Sequence, residues 1–209
     1  MKEKLNETTL PEFCKELADN HSEMDFIYRT CGTPPLWSRE EGFATLIHII
    51  LEQQVSLASA LSAFNKLKEK IGQITPENVL KLDDAEMKAC YFSRQKTGYA
   101  RNLANAILSG DLNLENLSNL SDEQVRAELT KIKGIGRWTA DIYLLMVLLR
   151  LDVMPKGDLA LHAAFKNLAK LEKRPNSDEF IEIAEKWKPL RAVAARLLWH
   201  FYLCQKAPE

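Results

Sequence analysis

Hydrophobic positions recur along this chain with the spacing of helices rather than strands. Between Phe43 and Leu51 the apolar side chains lie three and four positions apart, as one buried face of a helix requires. Similar stretches follow through most of the sequence, and no alternating run is long enough for a sheet. The pattern therefore predicts an all-α protein of about ten helices joined by short connections.

Capping residues predict where several of these helices begin. Ser38–Glu41 and Ser121–Gln124 both have the spacing of a capping box, in which the first side chain and the fourth satisfy each other's backbone amides. Asp158 and Ser177 precede apolar helical stretches and are predicted to cap two later helices.

The extended segment Cys31–Trp37, with two adjacent prolines, separates the first predicted helix from those that follow. A length of 209 residues is enough for one large domain or two small lobes that share a cleft. We predict two helical lobes, a central one of approximately residues 38–140 and a second one of residues 1–37 plus 141–209.

Composition adds little beyond an ordinary globular class, with 46% hydrophobic and 27% charged residues. The longest apolar run, Ile142 to Leu149, is eight residues and too short to cross a bilayer. The charged start Met1–Lys4 is not followed by an apolar segment, so no secretory signal is expected. These features predict a cytoplasmic protein that does not engage a membrane.

The four cysteines are separated by 17, 59 and 114 positions, and the four histidines are equally scattered. No pair has the spacing of a metal or iron–sulfur site, which predicts reduced and mostly buried thiols. Net charge is −1 overall, but residues 1–120 sum to −4 and residues 121–209 to +3. A partner with phosphates is therefore expected at the C-terminal half.

The stretch KIKGIGRWTA, Lys131–Ala140, breaks the helical pattern for two glycines and resumes it at once. Gly134 and Gly136 permit backbone angles closed to other residues and leave no side chain over the turn. The helix that restarts at Arg137 presents amide N–H groups and partial positive charge to any nearby phosphate. On the glycines alone, a tight turn without a ligand remains the alternative.

The flanking residues carry a family resemblance. The helix-hairpin-helix of DNA-binding proteins resembles the pattern formed by Leu129, Ile132 and the Gly134–Ala140 stretch. The loop Pro155–Asp158 follows, and its aspartate lies 22 positions after Gly136. This pairing resembles the helix-hairpin-helix, Gly/Pro-rich-loop, aspartate superfamily of DNA base-excision glycosylases. Similarity to its 3-methyladenine DNA glycosylase II branch extends to three further stretches: Gln53–Ser56, Trp187–Arg191 and Trp199.

The resemblance implies that residues 1–209 form one catalytic unit with the two-lobed fold of these glycosylases. It implies a monofunctional DNA glycosylase of base excision repair, which hydrolyses the N-glycosidic bond of alkylated purines such as 3-methyladenine. The expected partner is double-stranded DNA with damaged bases, bound by a monomer without a required cofactor. The protein would be nucleoid-associated in a bacterium and nuclear in a eukaryote.

Asp158 is the catalytic residue that the resemblance implies. An ionised carboxylate beside the sugar stabilises the positive charge that builds as the base departs, and it can orient or deprotonate the attacking water. From the residues alone, Asp158 would be only a helix cap. Asp141 and Asp152 are the rival carboxylates.

Some relatives use a lysine amine, two residues past the second hairpin glycine, to form a Schiff base and nick the strand. Trp138 occupies that position here, while Lys133 and Lys156 lie near it in sequence only. This predicts water as the nucleophile and an abasic site as the product. The alternatives are a glycosylase/lyase for oxidised or mismatched bases and a non-catalytic helix-hairpin-helix DNA-binding protein.

The resemblance places Trp138 and Trp199 around the flipped base, where indoles would favour a cationic alkylated purine. Relatives in the branch have a tyrosine four residues after Trp138; here Ile142 takes this base-pocket position, with Tyr143 beside it. Gln53 and Gln54 lie at a junction between two helices. The resemblance implies that this junction supplies a residue that fills the gap left by the flipped nucleotide. The alternative is a polar corner without such a role.

The remaining DNA-binding residues implied by the hairpin are Gly134, Ile135, Gly136, Arg137 and Thr139. Relatives also hold a monovalent cation on hairpin carbonyls, which by position would be those of Thr130, Ile132 and Ile135. A Na⁺ or K⁺ ion there is implied by the family only.

Overall fold

The computed structural model describes residues 4–205. Within this range the chain forms twelve α-helices and no β-strand, which confirms the predicted all-α class. Two short 3₁₀ turns, Leu117–Asn119 and Glu185–Trp187, complete the regular structure. The helices are α1 Thr9–Asn20, α2 Ser22–Cys31, α3 Phe43–Glu52, α4 Leu57–Ile71, α5 Pro76–Leu80, α6 Asp84–Ala89, α7 Arg94–Leu108, α8 Asp122–Thr130, α9 Arg137–Met146, α10 Leu159–Leu168, α11 Ser177–Ala184 and α12 Arg191–Cys204.

Two helices exceed the predicted number. The first predicted helix is broken at His21, whose extended backbone (φ −137°, ψ 111°) separates α1 from α2. α6 has only six residues, too few to show an apolar period, although Asp83 and Glu86 form a complete capping box at its start.

The predicted caps are confirmed at Ser121, which forms a capping box with Gln124, and at Asp158. The prediction at Ser38 is wrong, because α3 begins only at Phe43, after Gly42. α11 is capped by Asn176 rather than Ser177, since the Asn176 carboxamide reaches the first free amides of the helix.

The described chain divides into two compact units. The central unit is Arg39–Tyr143, and the terminal unit combines the residues up to Ser38 with those from Leu144 onward. The lobe boundaries drawn from the sequence, 38–140 and 1–37 plus 141–209, stay a prediction.

The central unit is built on α7, which packs against α3, α5 and α6, while α3 also packs on α4. Its core holds fully buried aliphatic side chains, among them Leu46, Ile47, Ile50, Leu103, Leu129 and Val125. Burial of this apolar surface is the main stabilising term of the unit.

The terminal unit is organised around α12, which packs against α1, α2 and α10. Nine residues of α12 are buried, eight of them apolar and the ninth Arg196, so this helix lies inside the unit. Among the described residues, no helix is long and apolar enough to cross a membrane.

Candidate functional site

The glycine-containing turn in the central unit joins α8 to α9. α8 ends at Thr130, and α9 begins at Arg137 as predicted. Two backbone hydrogen bonds, Ile132 N–H to Leu129 O at 3.2 Å and Ile135 N–H to Ile132 O at 2.9 Å, tighten the connection. The two helices and this turn form the hairpin, defined here as residues Asp122–Met146.

The two glycines of the hairpin differ in backbone conformation and in the space around them. Gly134 has φ +110°, and a Cβ there would lie 2.2 Å from Cγ of Tyr99 on α7. Gly136 lies outside the left-handed region, and a Cβ there would meet no atom within 4 Å. The prediction of a special backbone angle is therefore right for Gly134 and wrong for Gly136, which is exposed and leaves open space at the start of α9.

Gln53 braces the α3–α4 junction against the hairpin. Its Nε2 donates to the carbonyl of Gly134 at 2.9 Å and to Oγ1 of Thr139 at 3.0 Å. Gln54, the next residue, is exposed and held at φ +58°, an unusual angle for a residue other than glycine. The pair thus divides into an internal brace and an exposed, conformationally constrained side chain.

A buried carboxylate fastens the two helices of the hairpin. Asp141 on α9 is fully buried and receives Arg126 Nε of α8 on Oδ1 at 2.6 Å and Arg137 Nε on Oδ2 at 3.1 Å. The rival role of Asp141 in catalysis has no support in this geometry, because both carboxylate oxygens face arginines. The Arg137 side chain is still 55% exposed, so it can also reach outward.

Asp141→Asn should lower the free energy of unfolding by about 3 kcal/mol, because Arg126 would lose its buried counter-charge and the partly exposed Arg137 would lose its partner as well. Glu123→Gln is the matched control: Glu123 pairs with the same Arg126, but its side chain is 82% exposed. Chemical denaturation of both variants measures the effect. Equal stability of Asp141→Asn and wild type would show that the buried pair does not hold the hairpin.

Two other predicted DNA-binding residues of the hairpin point into the protein. Ile135 is 4% exposed and Thr139 is 1% exposed. Both side chains are buried in the protein, so any DNA contact at these positions would come from the backbone. Trp138 is half-buried in the first turn of α9, and Ile142 is 2% exposed.

In the terminal unit, Asp158 is both a helix cap and a fixed carboxylate. Its Oδ1 accepts the N–H groups of Ala160 and Leu161, each at 3.0 Å, and Nε1 of Trp199 at 3.2 Å. Asp158 is 8% exposed. The carboxylate thus lies at the positive end of α10 with three donors directed at one of its oxygens. The structure thus brings Asp158 and Trp199 together.

A further residue beside this pair was not anticipated from the sequence. The Trp37 ring lies edge-on to Trp199, with ring centroids 6.4 Å apart and an interplanar angle of 75°. Trp37 belongs to an irregular segment without periodicity, so no sequence pattern could have assigned its partner.

His162, one turn beyond Asp158 on α10, is 2% exposed and packs on Phe180. Burial lowers the pKa of His162, and the attraction of Asp158 offsets this only in part. The imidazole is therefore neutral at neutral pH and adds no charge next to the carboxylate.

The remaining candidates in the terminal unit are held in ion pairs. Asp152 receives Arg191 on both oxygens, at 2.7 Å and 2.9 Å, and Lys156 lies 2.6 Å from Asp178. Asp152 is therefore a structural carboxylate. In the part of the chain that the structure describes, no group of three or more His, Cys, Asp and Glu side chains could hold a metal ion.

Comparison with known proteins places this geometry in a family. The family model of the HhH-GPD superfamily base excision DNA repair proteins matches residues 47–189. DNA-3-methyladenine glycosylase 1 of Schizosaccharomyces pombe is 36% identical over 165 residues, which cover 77% of this chain and 72% of that protein. The chain therefore belongs to the HhH-GPD superfamily of base excision DNA repair proteins.

Two further comparisons refine the picture. The structure of a Schizosaccharomyces pombe 3-methyladenine DNA glycosylase in complex with abasic DNA has a TM-score of 0.85 and 33% identity, covering 90% of this chain and 95% of that one. Endonuclease III of Sulfolobus acidocaldarius is 39% identical, but over only 108 residues, which are 49% of this chain and 46% of that protein. The sequence similarity to the Schizosaccharomyces pombe glycosylase thus extends over about three quarters of this chain, and that to endonuclease III over about half.

Proposed function

We propose that this protein is a monofunctional DNA glycosylase that hydrolyses the N-glycosidic bond of alkylated purines, such as 3-methyladenine, in double-stranded DNA. The observation that carries the proposal is the Asp158 carboxylate, buried and fixed by three donors at the start of α10. Similarity over most of the chain to DNA-3-methyladenine glycosylase 1 supports the substrate class.

The proposed reaction needs one carboxylate and one water. As the bond between the sugar C1′ and the purine nitrogen breaks, its electron pair leaves with the base, and a cationic 3-methyladenine departs neutral. Asp158 stabilises the positive sugar electrostatically and accepts or directs the proton of the water that adds to C1′. The products are the free base and an abasic site in an unbroken strand.

The hairpin is the proposed grip on the DNA backbone. The amides at the start of α9, with Gly134, Ile135, Gly136 and Arg137, would bind a phosphate without reading sequence. The open space at Gly136 supports this, since a phosphate can approach the backbone there without meeting a side chain.

Gln54 is the proposed residue that fills the gap left by the flipped nucleotide. Its exposure and constrained backbone support this role, whereas Gln53 is already bonded to the hairpin and acts as its brace. Extrusion of the target base is needed because chemistry cannot reach it within the stack.

Trp138 and Trp199 are the proposed aromatic partners of the damaged base, with Ile142 as a buried apolar neighbour of Trp138 along α9. A cationic alkylpurine gains a cation–π attraction from an indole that a normal base lacks. The fixed orientation of Trp199, through its bond to Asp158, supports its place next to the reacting sugar.

No cofactor is proposed for the chemistry. A Na⁺ or K⁺ ion on the hairpin carbonyls of Thr130, Ile132 and Ile135 remains a structural proposal, since carbonyl oxygens suit such hard cations. The Ile132 carbonyl already accepts the Ile135 N–H at 2.9 Å and keeps a second lone pair for an ion.

We propose that the protein acts as a monomer, associated with the nucleoid in a bacterium or located in the nucleus in a eukaryote.

The fate of the DNA strand tests the monofunctional mechanism. Methylated duplex DNA is incubated with the protein, and half of each sample is then treated with alkali, which breaks abasic sites. We expect strand breaks only after alkali. Breaks in the untreated half would indicate lyase chemistry and favour the endonuclease III-like alternative, with Lys133 and Lys156 as the first amines to replace.

A further inference from the structure

Trp37 in the terminal unit has a backbone conformation that few residues of its size adopt. Its φ is +50°, in the left-handed region, where a bulky side chain crowds the backbone. Such a conformation is strained and persists only where the surroundings enforce it. The question is therefore what holds Trp37 there and what its ring does.

The backbone on the N-terminal side of Trp37 is held by a buried arginine of α12. Arg196 is 0% exposed and donates to three carbonyls: Leu36 at 2.9 Å, Ala192 at 3.0 Å and Leu145 at 2.7 Å. Burial lowers the pKa of Arg196 to about 10, so the guanidinium remains charged at neutral pH. The bond to Leu36 fixes the peptide that leads directly into Trp37.

A second residue of α12 holds the other end of the segment. His200 Nε2 lies 2.7 Å from the carbonyl of Cys31, and the His200 ring contacts the Trp37 ring at 6.4 Å between centroids. Trp199 lies between Arg196 and His200 in the α12 sequence. Two residues of this helix, one three positions before Trp199 and one directly after it, thus hold the segment that carries Trp37.

The Trp37 ring contacts Trp199 edge to face, and the Trp199 indole N–H in turn donates to Oδ1 of Asp158 at 3.2 Å. An indole can donate only along one direction, so its bond to the carboxylate depends on how the ring is oriented. Edge-to-face packing is one of the preferred arrangements of an aromatic pair, so the Trp37 ring favours one orientation of the Trp199 indole.

We infer that Trp37 is a positioning residue, which orients the Trp199 indole and through it the Asp158 carboxylate. This inference rests on the proposed function, because Asp158 is the proposed catalytic group. Loss of the Trp37 ring releases Trp199, and Oδ1 of Asp158 then keeps only its two backbone donors, Ala160 and Leu161. Misplacement of the carboxylate affects the bond-breaking step far more than the binding of DNA.

Trp37→Ala and Trp37→Phe test this inference by two readouts. The single-turnover rate of base release from 3-methyladenine DNA should fall about tenfold or more in Trp37→Ala. Affinity for duplex DNA with an abasic-site analogue should stay within about threefold of wild type, and Trp37→Phe should recover most of the rate. Tyr91→Ala is the matched control, because Tyr91 is also aromatic and left-handed (φ +64°) but 64% exposed.

The second readout does not depend on activity. The Trp199 indole N–H signal, assigned by its loss in Trp199→Phe, is followed by NMR in the free protein. Trp37→Ala should shift this signal and speed its hydrogen exchange, and Trp37→Phe should leave it close to wild type. Thermal melting shows that each variant is folded.

The outcomes separate the inference from the function on which it rests. Wild type without base release, but with a Trp199 signal sensitive to Trp37, would overturn the proposed function and leave the contact intact. An unchanged signal and rate in Trp37→Ala would overturn the positioning role. Equal losses of rate and DNA affinity in both Trp37 variants would also overturn the positioning role, since they would make Trp37 a binding residue.

Discussion

Asp158→Asn should lower the single-turnover rate of base release about 100-fold or more, the range seen when a group that stabilises transition-state charge is removed. Asparagine is as good a helix cap as aspartate, and its Oδ1 can still accept the bonds from Ala160, Leu161 and Trp199. The substitution therefore removes the negative charge and leaves the local structure in place. Quenched time courses on a 3-methyladenine duplex measure the rate.

Asp152→Asn is the control for this experiment. Asp152 is a carboxylate of the same unit whose two oxygens bind Arg191, so its loss should cost some stability but leave the rate of base release near wild type. Affinity of Asp158→Asn for abasic-site DNA should also remain, because the proposed phosphate contacts lie at the hairpin. A rate equal to wild type in Asp158→Asn would remove Asp158 from the mechanism.

Gly134→Ala should destabilise the protein by about 3 kcal/mol or more, since it adds both steric overlap and backbone strain. The new Cβ would lie 2.2 Å from Cγ of Tyr99 and within 2.6 Å of two further atoms of that side chain, and φ +110° suits glycine alone. The backbone of the hairpin would have to move away from α7. Denaturant titration, followed by circular dichroism, measures the loss.

Gly136→Ala is the matched control for stability. A Cβ there meets no atom within 4 Å, so the free energy of unfolding should change by no more than about 0.5 kcal/mol. Its affinity for duplex DNA should nevertheless fall, because the added methyl would stand where the proposed phosphate approaches. Gly134→Ala as stable as Gly136→Ala would contradict the packing of α7 on the hairpin.

Local sequence patterns predicted most of the helices and the starts of α8, α9 and α10. The capping box at Ser121, the restart at Arg137 and the cap at Asp158 depend on neighbours within four residues, and all are found in the structure. The wrong cap at Ser38 shows the limit of such motifs, since the residues have the spacing of a capping box but α3 begins only after Gly42.

Contacts between segments that are distant in sequence could not be predicted from local sequence patterns. Gly134 needs to be glycine because of Tyr99, 35 positions earlier, and Gln53 is a brace because of Gly134 and Thr139. Trp37 meets Trp199 across 162 positions, in a segment with no periodic pattern at all. The family resemblance supplied the proposed role of Asp158, whereas its bond from Trp199 became visible only in the structure.

The most direct test of the central claim is to identify the base that the protein releases. Duplex DNA treated with a methylating agent is incubated with the protein, and the free bases are separated by chromatography. We expect 3-methyladenine to appear in the soluble fraction, in proportion to protein and time, with none from unmethylated DNA. Absence of any released methylated purine, from a folded protein that binds the duplex, would contradict the proposed function.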